Sequence, residues 1–257
     1  MATEELFRVP PLVGAADVTG WRTETLRYRA TARPQSKFKS VLQPKHLFGA
    51  TGRNSTVTTR LHDDELRLDV THELAGTVLA ERLAAIVRHG RVRSTSLVRQ
   101  LGPARDEGHV ADDQSDADHE RLARHERVRF HPEPLGLPEA TYPEVMLPFL
   151  MRGQPLDGQR RAVWSWTNDR FMARVYYEVR RTVRVSVPAG TFEAALIWMY
   201  PDLNDWIAMG GVVTRLAKPL LPRYDIWIDT SPARRVVRFE GPYGPPGAPE
   251  IVLELAG

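Results

Sequence analysis

Between Trp164 and Tyr200 the sequence leaves room for little but β-structure. Trp164-Ser-Trp-Thr reads as one strand, Phe171–Val179 as a second and Val183–Val187 as a third. Pro188-Ala-Gly-Thr191 then reverses the chain, and Phe192–Tyr200 returns as a fourth. β-Branched and aromatic residues recur there with the period of two that a pleated strand requires. Pro188 fixes φ where the turn begins, and Gly190 supplies the positive φ of a reversal. The turn lacks the Gly-Lys-Ser or Gly-Lys-Thr of a phosphate loop, so its role is architectural.

The same alternation recurs elsewhere. Trp21–Ala32 places Glu24, Leu26, Tyr28 and Ala30 on one face. Ser55–Leu61 and Glu65–Leu74 flank His62-Asp-Asp64, a hairpin signal. On the second of these strands Leu66, Leu68, Val70, His72 and Leu74 share a face. Thr77–Val87 fits a strand or, by the propensity of Ala80-Glu-Arg-Leu-Ala-Ala85, a helix. Val92–Leu101 is strand-like, and Glu120–Arg129 is helical or extended. Tyr142–Arg152 reads as a helix distorted by Pro148. Asp225–Asp229 and Arg235–Glu240 form a hairpin, and Ile251–Leu255 closes the chain. Residues 1–20 read as an irregular lead-in, 33–52 as a long excursion and 103–120 as an exposed acidic loop. The expected fold is mainly β: one domain over 1–257, a large curved antiparallel sheet (half-barrel or open barrel) with one or two short helices and long loops.

Composition narrows the function classes. The chain has 257 residues, enough for a substantial core without staples, and it has no cysteine. Disulfides, thiol nucleophiles and thiolate metal sites are thereby excluded. Net charge is only +3. The basic residues are arginines scattered along strands, apart from Lys37, Lys39, Lys45 and Lys218. That pattern suits a solvated surface, not the focused stripe of a nucleic-acid binder. No run approaches the roughly 18 apolar residues of a membrane-spanning helix. Met1–Pro10 lacks the basic start and apolar core of a secretory signal, which sets a cytoplasmic expectation for the sequence as given; removal of a signal would make it periplasmic or envelope-bound.

Residues 140–257 resemble the family called domain of unknown function 3108. The likeness rests on Tyr142-Pro-Glu-Val-Met-Leu-Pro-Phe-Leu-Met-Arg152 and a shortened Leu-x-x-Gly turn at Leu156-Asp-Gly158. It rests also on Val185-Ser-Val-Pro-Ala-Gly-Thr-Phe192 and the closing segments Tyr224–Ile228 and Arg235–Glu240. The resemblance implies an antiparallel half-barrel similar to the carriers of bacterial lipoproteins, in a secreted or envelope setting. It implies no reaction.

Chemistry is less legible. His72, on an apolar strand face, is the best general acid/base candidate by its ordinary pKa, with Tyr177, Tyr200 and Asp225 as possible proton partners. A satisfied core histidine is the blander account. Tyr177, Trp198, Tyr200 and Trp227 suit either a sheet core or the wall of an apolar pocket. His109, Asp112, Asp113, Asp116, Asp118, His119 and His125 match no calcium-loop or His-Glu-x-x-His spacing, and read as a solvated loop with no metal. No nucleophile elbow or dinucleotide loop occurs, and no cofactor is expected. The expected function is binding of a lipid-like or other hydrophobic small molecule in the concave face. The alternative is a hydrolase, lyase or isomerase acting on an apolar substrate in the same cavity; a third is an assembly or scaffold protein.

Overall fold

The computed structural model describes residues 3–33, 51–74, 77–103, 127–130, 137–168, 171–202, 223–242 and 250–257. The expected excursion at 33–52 and the acidic loop at 103–120 lie largely outside these residues. Among them run the strands β1 (Thr3–Glu4), β2 (Arg22–Arg33), β3 (Thr51–His62), β4 (Glu65–Leu74), β5 (Thr77–Arg88), β6 (Arg91–Pro103) and β7 (Arg127–Phe130). The second half contributes β8 (Thr141–Pro143), β9 (Arg161–Asn168), β10 (Phe171–Val187), β11 (Gly190–Pro201), β12 (Tyr224–Asp229), β13 (Val236–Pro242) and β14 (Glu250–Leu255). They form one sheet in the order β1-β9-β10-β11-β12-β13-β14-β2-β3-β4-β5-β6-β7, with β8 also on β9. All pairs are antiparallel except those of β1 and β8 with β9.

The sheet curls into a nearly closed barrel, and the amino-terminal segment closes it. Thr3 and Glu4 pair with Arg161 and Ala162 of β9. A few residues on, Arg8 bridges to Arg91 at the start of β6. The Val92 N–H donates to Phe7 O at 2.7 Å, and the Val9 N–H donates to Gly90 O at 3.0 Å. Residues 3–9, expected to be irregular, are therefore a stave of the barrel. Its two-residue strand and single bridge are too short to produce a periodic sequence signal.

Two other expectations change. Phe171–Val179 and Val183–Val187 are one continuous strand, which passes the expected turn with a bulge against β11 between Val179 and Arg181. No Gly, Pro or Asn occurs there to turn the chain, so the extra residue is absorbed as local twist. Thr77–Arg88 is a strand despite its helix formers, because β4 and β6 pair with it on both sides.

The helix expected over Tyr142–Arg152 shrinks to α1 (Leu147–Leu150), with 3-10 turns at Glu144–Met146 and Met151–Gly153. Pro148 falls near the start of α1, where its missing N–H is tolerated. Every residue from Ala140 to Arg152 is buried. Val145, Met146, Leu147, Phe149, Leu150 and Met151 belong to the same core as the inward side chains of the sheet. A segment apolar on all sides is stable only when enclosed, and here it is packed into the concavity.

Candidate functional site

Strand alternation decides which side chains the barrel encloses. Leu26, Tyr28 and Ala30 of β2, Val57 of β3, Leu66, Leu68 and Val70 of β4 and Leu83 of β5 are buried. Polar residues interrupt this wall. Ser55 on β3 lies opposite Tyr28 on β2 and opposite His72 on β4, so the three occupy one row across adjacent strands. Ser55 and His72 are fully buried, and Tyr28 is 1% exposed. The Ser55 Oγ and His72 Nδ1 are 2.7 Å apart. Burial lowers the pKa of His72 to about 3, so the imidazole is neutral at pH 7. Glu81, buried on β5, faces Val70 in register and is thus one step diagonal from His72.

A second buried cluster sits where the stave meets the barrel. The Tyr142 hydroxyl accepts from the Phe7 N–H at 2.9 Å and donates to Val92 O at 2.7 Å, tying stave to β6. The Phe7 ring lies 4.6 Å from that of Tyr142 and 5.9 Å from that of Tyr177. Tyr177 is buried, its hydroxyl has no hydrogen-bond partner among the described residues, and burial raises its pKa. Tyr28, whose ring is 5.9 Å from that of Phe149, likewise has a hydroxyl without a partner among the described residues and a pKa raised by burial.

Arg152 anchors the end of the enclosed segment. Its Nη1 pairs with Glu24, while Nε donates to Arg234 O at 2.8 Å. Its Nη2 donates to Pro11 O at 3.0 Å and Ala233 O at 2.9 Å. One guanidinium thus joins β2, the lead-in and the β12–β13 turn. Glu144, at the other end of the segment, accepts from the buried Tyr224 hydroxyl.

The residues singled out from sequence divide between two faces. His72 and Tyr177 are buried and point inward. Trp198, Tyr200, Trp227 and Asp225 are half-buried on the outer face, where Trp198 stands opposite Asp225 in register. Arg180 and Arg223 lie 4.3 Å and 4.7 Å from the Trp198 ring, and Arg238 lies 5.4 Å from that of Trp227. Arg160 lies over Tyr176 and Tyr200. Asp225 pairs with Arg223 at 2.9 Å. Arg180 likewise pairs with Glu178, and Arg238 with Glu240 and Glu254. This face is a mosaic of rings and matched charges, not a basic stripe. Asp225, on the outer face, therefore does not stand beside His72, whereas Ser55 does. The His109–His125 cluster lies outside the described residues, among which no three His, Asp or Glu side chains gather to hold a metal ion.

Fold and site together define a nearly closed antiparallel barrel with a buried aromatic cluster and an inward Ser–His contact. Among the described residues no helix is long and apolar enough to cross a membrane. No family model matches the chain, and no curated protein does. The resemblance to domain of unknown function 3108 thus stands on the quoted residues alone. A Bacteroides fragilis protein, described as exported and as having a YmcC-like fold, aligns over 98% of this chain and 98% of its own, with 12% identity and a TM-score of 0.35. Similarity that slight carries no argument about what this chain does.

Proposed function

We propose that this protein binds a hydrophobic small molecule inside the barrel, between the enclosed segment 140–152 and the inner wall. The observation that carries the reading is an enclosed apolar core in which two buried rings, Tyr28 beside Phe149 and Tyr177 beside Phe7, have hydroxyls without partners among the described residues. Apolar walls with a few buried polar groups are the usual make-up of small-molecule sites. Native mass spectrometry of the purified protein, with displacement of an apolar dye by fatty acids and isoprenoids, tests it. A co-purified ligand or competitive displacement is expected. Absence of both would count decisively against the reading.

A second reading, catalysis on an apolar substrate, has one observation in its favour: the 2.7 Å contact of Ser55 with His72. It ranks lower on chemical grounds. A general base works best with a pKa near the working pH, and burial holds His72 far below it. If an ester- or lactone-cleaving activity is found, His72→Ala must abolish it; unchanged turnover sinks this version.

A further inference from the structure

Resting on the reading that the interior takes up an apolar molecule, the geometry points to an uncharged polar head on that molecule, an alcohol or an amide, recognised by the row Tyr28, Ser55 and His72. Directly opposed positions on adjacent strands are about 5 Å apart, and register places these three side chains side by side on the inner wall. The row combines a phenol, a serine hydroxyl and an imidazole. Among the described residues the Tyr28 hydroxyl has no partner. A buried hydroxyl without a partner is destabilising, and phenylalanine would fill the same volume without that cost. The head group of a bound molecule would supply that partner.

The exclusion of charge follows from the neighbours. Arg152 and Arg235 are the cations that act electrostatically on Tyr28. Every nitrogen of Arg152 is already engaged, by Glu24 and by the carbonyls of Pro11, Ala233 and Arg234. Arg235 is paired with the buried Asp229. Neither is left to neutralise a carboxylate or phosphate. Glu24 is likewise committed to Arg152, and Glu81, one diagonal step from His72, is also engaged, so neither carboxylate offers itself to an ammonium. A charged head would be desolvated without a counter-ion, whereas a hydroxyl or amide finds hydrogen-bonding groups of its own kind.

Displacement of N-phenyl-1-naphthylamine from the full chain at pH 7 by dodecanol, laurate and dodecylamine, which share one chain length, tests this. Dodecanol should compete at about tenfold lower concentration than either charged probe, since an unpaired buried charge costs more than one factor of ten. Tyr28→Phe should weaken dodecanol roughly fivefold relative to the dye measured on the same variant, the worth of one hydrogen bond. The variant keeps the ring against Phe149, so it retains the fold; Ser55→Ala supplies an independent check with the same direction. Laurate or dodecylamine competing as well as dodecanol, or Tyr28→Phe leaving the dodecanol preference intact, overturns this inference while the binding reading stands. Failure of the dye and all three probes to bind overturns both.

Discussion

At the scale of single residues, His72 ties pH to stability. Its folded pKa, about 3, lies below the ordinary value of 6.5. The unfolded chain therefore binds the extra proton first as pH falls. The stability contributed by neutral His72 is complete above pH 6.5 and declines below it, until the folded pKa is reached. At pH 5 the loss amounts to about 2 kcal/mol. Urea unfolding at pH 7 and pH 5 should show this difference in the native chain and a much smaller one in His72→Asn. An equal pH effect in both proteins would assign the titration elsewhere. Sequence made His72 visible as a candidate, and its partner was within reach. In the β3–β4 hairpin His62 faces Glu65 across the Asp63-Asp64 turn, and equal steps back from that turn reach Ser55 and His72. Tyr28 falls on an apolar face in the sequence, but the β2–β3 register that aligns it with Ser55 spans a long connection, whose length leaves the pairing open. Asp225 was misleading for another reason. Alternation tells which residues share a face; it does not tell which face a curved sheet turns inward.

At the scale of elements, the join between the amino-terminal stave and β6 depends on one hydroxyl. In Tyr142→Phe the Phe7 N–H loses its acceptor and the Val92 carbonyl loses one donor. Each such buried group left unsatisfied costs about 1–3 kcal/mol, so a total loss of about 2–6 kcal/mol is expected for the two. Hydrogen exchange should speed up locally at Phe7 and Val92, while β12 and β13 stay protected. Uniform change across the sheet would show that the hydroxyl does not act at the seam. Gly153 is a sharper case. A Cβ there would stand 2.2 Å from the Arg8 carbonyl oxygen and 2.8 Å from that of Val9. These are backbone atoms and cannot rotate away, so Gly153→Ala must displace the stave. We expect faster proteolysis between residues 5 and 12 and a loss of about 1–3 kcal/mol, the usual cost of overpacking. An unaltered cleavage pattern would contradict the close approach. Sequence periodicity found β2, β4, β12 and β13 because each has one apolar face. It missed the continuity of β10, whose bulge breaks the period without ending the strand. It also left β5 open between strand and helix, a choice settled only by its two neighbours.

At the scale of the whole molecule, a mainly β fold with a concave face was legible and its closure was not. Closure depends on residues 3–9, which hold no repeating pattern and precede Pro10-Pro11, a pair that reads as a break. What fixes the stave is long-range: Phe7 enters the core beside Tyr142 and Tyr177 and is fully buried. Truncating such a ring costs about 3–5 kcal/mol, so Phe7→Ala is expected to lower stability by that amount. Deleting residues 1–9 goes further, because it also uncovers the β9 edge at Arg161–Ala162 and the β6 edge at Arg91–Val92. Unpaired strand edges recruit other strands. The point variant should therefore remain monodisperse but melt earlier, while the deletion should add association that increases with concentration. Light scattering coupled to size-exclusion chromatography separates the two effects. If the deleted chain keeps the melting temperature and the mass distribution of the full chain, residues 3–9 rest on a barrel that is already closed without them.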